Sequence, residues 1–307
     1  MTFAIGTDEA GYGPNLGPLV VAATAWDAAV EPAGLEAAFA RAGAGLAELW
    51  GDSKRIFRGG AGLAALERGA LSAVQLAAGT MPATWSALAL ALGIEAGSPP
   101  VHDSALAALG LPREASCDQC LAGVDQAEPW LAEQRLALRR VRCRVVEPRE
   151  FNALLAQGLN KSDILSRITL ELATSLVPND GGEIVVWCDR HGGRMRYAPL
   201  VSRSFATPLV RVIEETPVRS AYHVPERSCR IEFHVKGESR LPVAVASMAA
   251  KYVRELAMHA FNAHWASKQP GLRPTAGYPV DAGRWRTAAA AVVDREGVAW
   301  DDLWRRA

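Results

Sequence analysis

Two adjacent acids, Asp8 and Glu9, lie where an apolar segment at the start of the chain gives way to a glycine-containing loop. A third acid, Asp189, ends the later apolar segment "GGEIVVWCDR". Acids at strand ends can share one cleft in an open α/β sheet, where they repel one another unless protons or cations neutralise them. Oxygen ligands suit Mg²⁺ or Mn²⁺, and two such ions can clamp a phosphoryl displacement. The residue types therefore indicate either a divalent-cation site or unrelated surface acids.

Successive side chains of a strand point to opposite faces of the sheet. We therefore expect Asp8 and Glu9 to converge only if the strand loses its regularity between them. Gly11 and Gly13 make such an irregularity plausible, because glycine adopts backbone conformations that other residues avoid.

The elements that must position these acids alternate along the chain. Val-, Ile- and Ala-rich segments predict strands, and amphipathic segments predict helices. The alternation predicts an α/β fold with a mixed sheet. Strands are expected over 2–8, 18–26, 139–148, 181–190, and around 208–215 and 229–235; helices are expected over 32–49, 61–78, 149–157, 161–176, 242–265 and 281–305.

Composition limits the classes of protein that the chain can form. The 307 residues are 50% hydrophobic with a formal net charge of zero, so a nucleic-acid-binding surface must be local. Five cysteines argue against a disulfide framework. Residues 1–10 lack the pattern of a signal peptide, and the apolar runs are too short to cross a bilayer. We expect a cytoplasmic monomer without a membrane segment.

Five segments occur in the order found in ribonuclease HII, and the chain resembles that family over about two thirds of its length. They are "GTDEAGYGPNLGPLVVAA" from residue 6, "DSK" at 52–54, "EPREFNALL" at 147–155, "VVWCDR" at 185–190 and "KGESRLPVAVASMAAKYVREL" at 236–256. The resemblance implies a ribonuclease H-like fold: a mixed central sheet flanked by helices. It also implies a Mg²⁺- or Mn²⁺-dependent endoribonuclease that cuts RNA–DNA hybrids or ribonucleotides embedded in duplex DNA, leaving 3′-hydroxyl and 5′-phosphate ends.

The resemblance carries four acids onto this chain, namely Asp8, Glu9, Asp189 and Glu238. They are the expected catalytic and metal-binding residues, with two ions bound during catalysis. The family usually has aspartate at the position of Glu238. A glutamate there extends the carboxylate by one methylene, which can change the rate or the metal preference.

The resemblance also implies a set of substrate contacts. The main chain of the glycine loop approaches the ribose 2′-hydroxyl, and the family usually has arginine or lysine where this chain has Tyr12. Further expected contacts to the duplex lie in "DSK", in the last matching segment and in "AGYPVDAGRW". The substrate-binding residues are therefore expected to include Gly11, Tyr12, Gly13, Ser53, Lys54, Lys236 and Tyr278.

A basic stretch without any acid follows Asp189 directly. It contains Arg190, Arg194, Arg196, Arg203 and Arg211, and an extra hairpin is expected between Asp189 and Glu238. Arg190 and Arg194 are expected to contact the duplex backbone, with a solvated face as the alternative. "CDQC" at 117–120 is half of a zinc motif, and no second pair has suitable spacing.

We expect residues 1–79 and 136–270 to form the catalytic domain, 80–135 to be an inserted helical segment and 271–307 to be a C-terminal helical segment. Two further functions stay open beside the nuclease. One is a ribonuclease H-like nucleic-acid-binding protein with weakened catalysis, and the other is a nuclease with an altered substrate.

Overall fold

A mixed sheet of seven strands lies at the centre of the part of the chain that this computed structural model describes, residues 2–58, 62–95, 99–178 and 182–306. The side chains of Lys54, Arg55 and Arg58 also lie outside the described part. The strands are β1 (Thr2–Ala10), β2 (Leu19–Ala28), β3 (Leu136–Val146), β4 (Glu183–Asp189), β5 (Arg211–Glu215), β6 (Arg219–Val224) and β7 (Cys229–His234).

The sheet has the strand order β3-β2-β1-β4-β7-β6-β5. β1 pairs antiparallel with β2 and parallel with β4, and β4 pairs parallel with β7. The β5–β6 hairpin then pairs antiparallel with β7, which confirms the extra hairpin expected after Asp189. The arrangement confirms the predicted fold class, a mixed sheet with helices against it.

Helices pack on both faces of the sheet because the buried strands alternate their side chains. Ala4 and Val185 face one hydrophobic cluster, whereas Ile5 and Val186 face another. The helices are α1 (Leu35–Gly45), α2 (Ser53–Arg58), α3 (Gly62–Ala78), α4 (Trp85–Leu92), α5 (Asp103–Ala107), α6 (Cys117–Glu133), α7 (Pro148–Ala156), α8 (Lys161–Thr174), α9 (Ala198–Ser204), α10 (Leu241–Lys268) and α11 (Pro279–Arg295).

The observed elements differ from the expected ones in two places. The helix expected over 32–49 is a short helical turn followed by α1, which ends at Gly45. β6 carries few of the Val and Ile residues that mark the other strands, and it was not predicted. The helical pieces expected over 281–305 are α11 and a short helical turn, Trp300–Asp302, after which Trp304 pairs with Leu16 in an isolated bridge.

The first turn of α10 lies directly against β1. A Cβ atom added to Gly6 would lie only 2.2 Å from the carbonyl carbon of Pro242, so only glycine permits this approach. The hydroxyl of Thr24 on β2 donates to the carbonyl oxygen of Pro242 at 2.8 Å. The contact fixes where the long helix begins relative to the central strand.

A buried carboxylate joins the 80–135 segment to the rest of the core. Glu67 on α3 is fully buried and accepts hydrogen bonds from the backbone N–H groups of residues 113–115 and from the hydroxyl of Tyr252 on α10. α4, α5 and α6 lie in this segment, and their apolar residues share a cluster with the sheet. The division into domains stays a prediction.

Among the described residues, none of the helices combines the length and the apolar character needed to cross a bilayer.

Gly6→Ala tests the contact between β1 and α10. We expect it to lower the free energy of unfolding by about 3 kcal/mol, because the added methyl group overlaps backbone atoms that cannot rotate away. Chemical denaturation measures this loss. The matched control is Gly283→Ala in α11, where an added Cβ meets no atom within 4 Å and a gain of up to about 1 kcal/mol is expected. Equal effects of the two variants would contradict the steric argument.

Candidate functional site

Three acids meet at one end of the central strands. Asp8 on β1, Glu9 beside it and Asp189 at the end of β4 each offer a carboxylate oxygen, and these oxygens lie within 4.8 Å of one another. Asp8 is 6% exposed, and the other two are partly exposed. The sequence predicted this convergence from the strand ends alone. Such a group of hard oxygen ligands, open to solvent on one side, fits a divalent cation.

The expected irregularity between Asp8 and Glu9 is wrong. β1 stays in register with β2 through both residues, with Asp8 opposite Ala22 and Glu9 opposite Val21. The convergence has another cause, because the ladder between β1 and β4 ends one residue before Asp8. The carboxylate of Asp8 accepts a hydrogen bond from the backbone N–H of Glu9 at 2.8 Å, and Asp189 follows the last residue of β4 that pairs with β1.

The electrostatic cost of the site falls mainly on Asp8. Burial raises the pKa of its carboxyl well above the ordinary value, and the charges of Glu9 and Asp189 raise this pKa further. A hydrogen bond with Ser247 on α10 acts in the opposite direction, and the charge of Glu238 adds a smaller increase. Ionisation of Asp8 is therefore costly in this fold, and a bound cation would relieve that cost.

The fourth expected acid, Glu238, lies next to this group and outside the set of oxygens within 4.8 Å. It belongs to a short helical turn, Gly237–Ser239, whose first backbone N–H donates to the carboxylate of Asp189 at 2.7 Å. A Cβ on Gly237 would lie 3.0 Å from the Cα of Asp189. The turn thus brings Glu238 to the end of β4 and orients Asp189. Lys236, just before the turn, is exposed and has a positive φ of 61°.

The glycine loop follows β1. Gly11 has a φ of 87°, and a Cβ there would lie 2.5 Å from the Nε atom of the buried Arg254. Gly13 is exposed, and the ring of Tyr278 lies 4.0 Å from the position of a Cβ at Gly13. The structure therefore brings together the loop and Tyr278, whose side chain is 56% exposed. Both were predicted as contacts to a duplex, and both stay predictions.

The side chain of Tyr12 lies against Gly192 and Lys161. A Cβ on Gly192 would lie 3.3 Å from its hydroxyl oxygen, and the ammonium of Lys161 lies 5.7 Å from its ring centroid. Burial and the charge of Glu9 raise the pKa of the Tyr12 hydroxyl. The sequence reasoning did not single out Lys161, which brings a positive charge to this loop.

Ser53 differs from the expected exposed phosphate contact. Its side chain is 3% exposed, and its hydroxyl lies 3.0 Å from that of Ser247. Ser53 thus supports the serine that binds Asp8, a role that the sequence does not reveal because the two serines are 194 residues apart. The side chain of Lys54, the other contact expected in "DSK", lies outside the described residues.

The two arginines predicted to contact a duplex are engaged within the protein. The guanidinium of Arg190 donates to the carbonyl oxygens of Thr216 at 2.8 Å and of Pro217, which form the turn between β5 and β6. Arg194 pairs with Asp163 and donates to Ser162 at the start of α8. The basic stretch contains no acid, but other segments of the chain supply partners for both arginines. The observed contacts of Arg190 and Arg194 are therefore structural, and their contact with a duplex stays a prediction.

A buried ionic cluster lies on β7, the strand that leads to the turn carrying Glu238. Glu232 on β7 is fully buried and contacts Arg219 at 2.8 Å, Arg230 at 2.9 Å and His234 at 2.8 Å. Burial alone would raise the pKa of Glu232, but the hydrogen bond with His234 and the charges of Arg230 and Arg219 lower it to about 2. We did not predict this cluster from the sequence. Arg230, Glu232 and His234 alternate along β7, and Arg219 joins them only when β6 pairs with β7.

His191, which follows Asp189 by two residues, has a structural role. His191 is 1% exposed, its Nδ1 atom lies 2.9 Å from the Ser166 hydroxyl, and burial lowers its pKa to about 3, so the ring is neutral.

The two cysteines of "CDQC" lie at the start of α6, where Cys117 is exposed and Cys120 is buried. Among the described residues, the only group of three or more ligands is the acidic one, so the half zinc motif gains no partners.

Thermal unfolding tests the cation site without any substrate. Mg²⁺ or Mn²⁺ is expected to raise the melting temperature of the wild type, because the cation neutralises carboxylates that repel one another. Asp8→Asn removes one of these charges, so its metal-free melting temperature is expected to rise by about 2 °C or more and to respond little to metal. The control is Asp125→Asn at an exposed position of α6, which is expected to behave as the wild type. A metal response that survives in Asp8→Asn would contradict the site.

Glu232→Gln tests the ionic cluster through its pH dependence. The folded pKa of Glu232 is about 2 and its ordinary value is 4.5, so its stabilising contribution is complete above pH 4.5 and is lost as the pH falls towards 2. At pH 7 the variant is expected to lose about 2–3 kcal/mol of stability, since the partly exposed Arg219 and Arg230 lose their counter-charge. The difference from wild type is expected to shrink below pH 4.5. The control is Glu171→Gln in the exposed pair with Arg167, with an expected loss below about 0.5 kcal/mol. A pH-independent loss in Glu232→Gln would rule out the ionic explanation.

No family model matches the chain, and no curated protein matches it. Solved structures with a similar fold include several ribonucleases. A PCNA:RNase HII complex from Archaeoglobus fulgidus matches at 15% identity and a TM-score of 0.45, covering 98% of this chain and 93% of that chain. Ribonuclease H2 from Pyrococcus horikoshii OT3 matches at 13% identity and a TM-score of 0.48, covering 98% and 92%. Bst-RNase HIII in complex with Mn²⁺ matches at 16% identity and a TM-score of 0.44, covering 99% and 66%.

Proposed function

We propose that the chain is a metal-dependent endoribonuclease that cuts the RNA strand of RNA–DNA hybrids or ribonucleotides embedded in duplex DNA, leaving 3′-hydroxyl and 5′-phosphate ends. The observation that carries the proposal is the meeting of Asp8, Glu9 and Asp189 at the strand ends, directly before a glycine loop. The sequence resemblance supports it independently, because these three are among the four acids that it assigns.

The acids are held in place before any ligand binds. The Glu9 N–H and Ser247 fix the carboxylate of Asp8, and the Gly237 N–H fixes that of Asp189. Mg²⁺ or Mn²⁺ held by the three acids, with Glu238 beside them, would supply an activated water and stabilise the departing 3′-oxygen. The protein's part in the reaction is this fixed placement of charge, which reduces the reorganisation needed as the phosphate reacts.

The glycine loop and Tyr278 are proposed to position the ribose. Without side chains at Gly11 and Gly13, the main chain of the loop can approach a sugar and its phosphate closely. The exposed ring of Tyr278 beside Gly13 offers a flat apolar surface to a sugar. Selectivity for a ribonucleotide would then come from the backbone of the loop. The positive charge of Lys161, which lies near Tyr12, would attract the phosphate of the substrate.

Cleavage of three labelled duplexes tests the proposal: an RNA–DNA hybrid, a DNA duplex with one ribonucleotide, and an all-DNA duplex. With Mg²⁺ or Mn²⁺, we expect cutting of one or both ribonucleotide-containing duplexes and no cutting of DNA. Asp8→Asn is expected to lower the rate by at least about a hundredfold, because it removes the most buried of the three carboxylates. Asp125→Asn serves as the matched control and should keep full activity. No cutting with either metal would overturn the assignment.

One observation favours the second candidate, a duplex-binding protein with weakened catalysis: Glu238 lies outside the group of oxygens within 4.8 Å. Glu238→Asp, added to the same assay, separates the two candidates. A competent site predicts a change in rate of less than about tenfold, since the side chain already lies at the end of β4. A gain of about a hundredfold or more would show that glutamate at this position limits catalysis and would favour the second candidate.

A further inference from the structure

The last described residues of the chain return to the glycine loop. After a short helical turn, Trp300–Asp302, the backbone of Trp304 pairs with Leu16. The backbone N–H of Arg305 donates to the carbonyl oxygen of Asn15 at 2.7 Å, and the side-chain amide of Asn15 donates to the carbonyl oxygen of Arg305 at 3.1 Å. The C-terminal segment, residues 300–306, is therefore bound to the second half of the loop.

The side chain of Arg305 reaches the first half of the same loop. Its Nη2 atom donates to the carbonyl oxygens of Gly11 and Pro14, each at 2.5 Å. These two carbonyls flank Tyr12 and Gly13, so one guanidinium nitrogen fixes the distance across the turn. The side chain is 1% exposed, and its guanidinium carbon lies 5.1 Å from the ring centroid of Phe151.

The C-terminal segment is itself anchored from a different direction. The buried side chain of Asn152 on α7 donates to the carbonyl oxygen of Trp304 at 2.8 Å and accepts the backbone N–H of Arg306 at 2.8 Å. Arg305 thus lies between a fixed helix and the loop. A buried arginine is costly, and burial together with the charge of Arg254 lowers its pKa to about 9, so the group is still charged at neutral pH.

A second set of contacts holds the other side of the loop. The carbonyl oxygen of Gly277 accepts the backbone N–H groups of Asn15 at 2.8 Å and of Leu16 at 3.2 Å. These contacts act after Gly13 and leave the carbonyl oxygens of Gly11 and Pro14 to Arg305. Without the guanidinium, the turn at Tyr12–Gly13 would be fixed only at one end.

We propose that Arg305 is a positioning residue, which holds the main chain of the glycine loop, residues 11–16, in a single conformation beside the acids. Its effect on substrate rests on the proposed function, whereas its effect on the loop does not. Arginine suits this task because the flat face of its guanidinium can lie over the Phe151 ring while its edge donates to the two carbonyls, whereas the ammonium of lysine has no such planar face.

Amide hydrogen exchange on the full chain tests the positioning directly. In Arg305→Met, which keeps the apolar volume, we expect exchange at the amides of residues 11–17 to become at least tenfold faster, with residues 3–7 of β1 unchanged. The matched control is Arg306→Met, because Arg306 is exposed and its guanidinium pairs with the exposed Asp301. Unchanged exchange at residues 11–17 in a folded Arg305→Met would overturn the proposal.

Arg305→Lys keeps the test decisive if Arg305→Met fails to fold. It retains the charge and loses the two-carbonyl geometry, so we expect an intermediate increase in exchange, confined to the loop. A uniform increase over the whole chain would instead indicate a general loss of stability and would contradict a local role.

Kinetics separate positioning from stability. Measured well below the melting temperature, Arg305→Met is expected to raise the KM for a ribonucleotide-containing duplex about tenfold with kcat within about twofold, because the loop contacts the substrate before and during the reaction. Unchanged KM and kcat together with a lower melting temperature would assign Arg305 a structural role only. If the wild type cuts no duplex, the proposed function fails, and the exchange experiment still decides the role of Arg305.

Discussion

The contact between Gly6 and Pro242 determines where α10 runs along β1, and the site depends on that register. Because no side chain separates the strand from the first turn of the helix, the later residues of α10 lie over the later residues of β1 and over the loop beyond it. A displacement of this helix would disturb the acids and the loop together. The contacts set by this register are Ser247 at Asp8, Arg254 at Gly11 and Met258 at Gly17.

Charge is distributed unequally around this framework. The acids at the strand ends repel one another, and the buried arginines at the glycine loop do the same, since the charge of Arg254 lowers the pKa of Arg305. At β7 the opposite holds, because Glu232 is surrounded by arginines that stabilise its ionised form. Opposite charges therefore neutralise one another on β7. At the strand ends the acids repel one another, and a bound cation could relieve that repulsion.

Local sequence predicted those parts of the fold that local physics determines. The Val- and Ile-rich runs gave β1, β2 and β4, and the acids at their ends gave the cluster of Asp8 and Asp189. The irregularity expected in β1 was wrong, because Asp8 and Asp189 meet where the ladder between β1 and β4 stops, and this point depends on a strand far away in the sequence. The roles of Ser53 and Arg305 could not be predicted from the sequence for the same reason. Their partners lie 194 and 294 residues away, and a chain contact of that kind leaves no periodic pattern.

The order of these contacts along the chain has a consequence for folding and for the loop. The central ladder and α10 can place the acids without the last residues of the chain, but the loop reaches its final conformation only after residues 300–306 return to it. The acids are thus part of the rigid core, whereas the loop depends on a segment from the other end of the sequence, which Asn152 anchors. The charges of the site and the conformation of the loop therefore have separate supports, so a change at Arg305 can alter the loop and leave the placement of the acids intact.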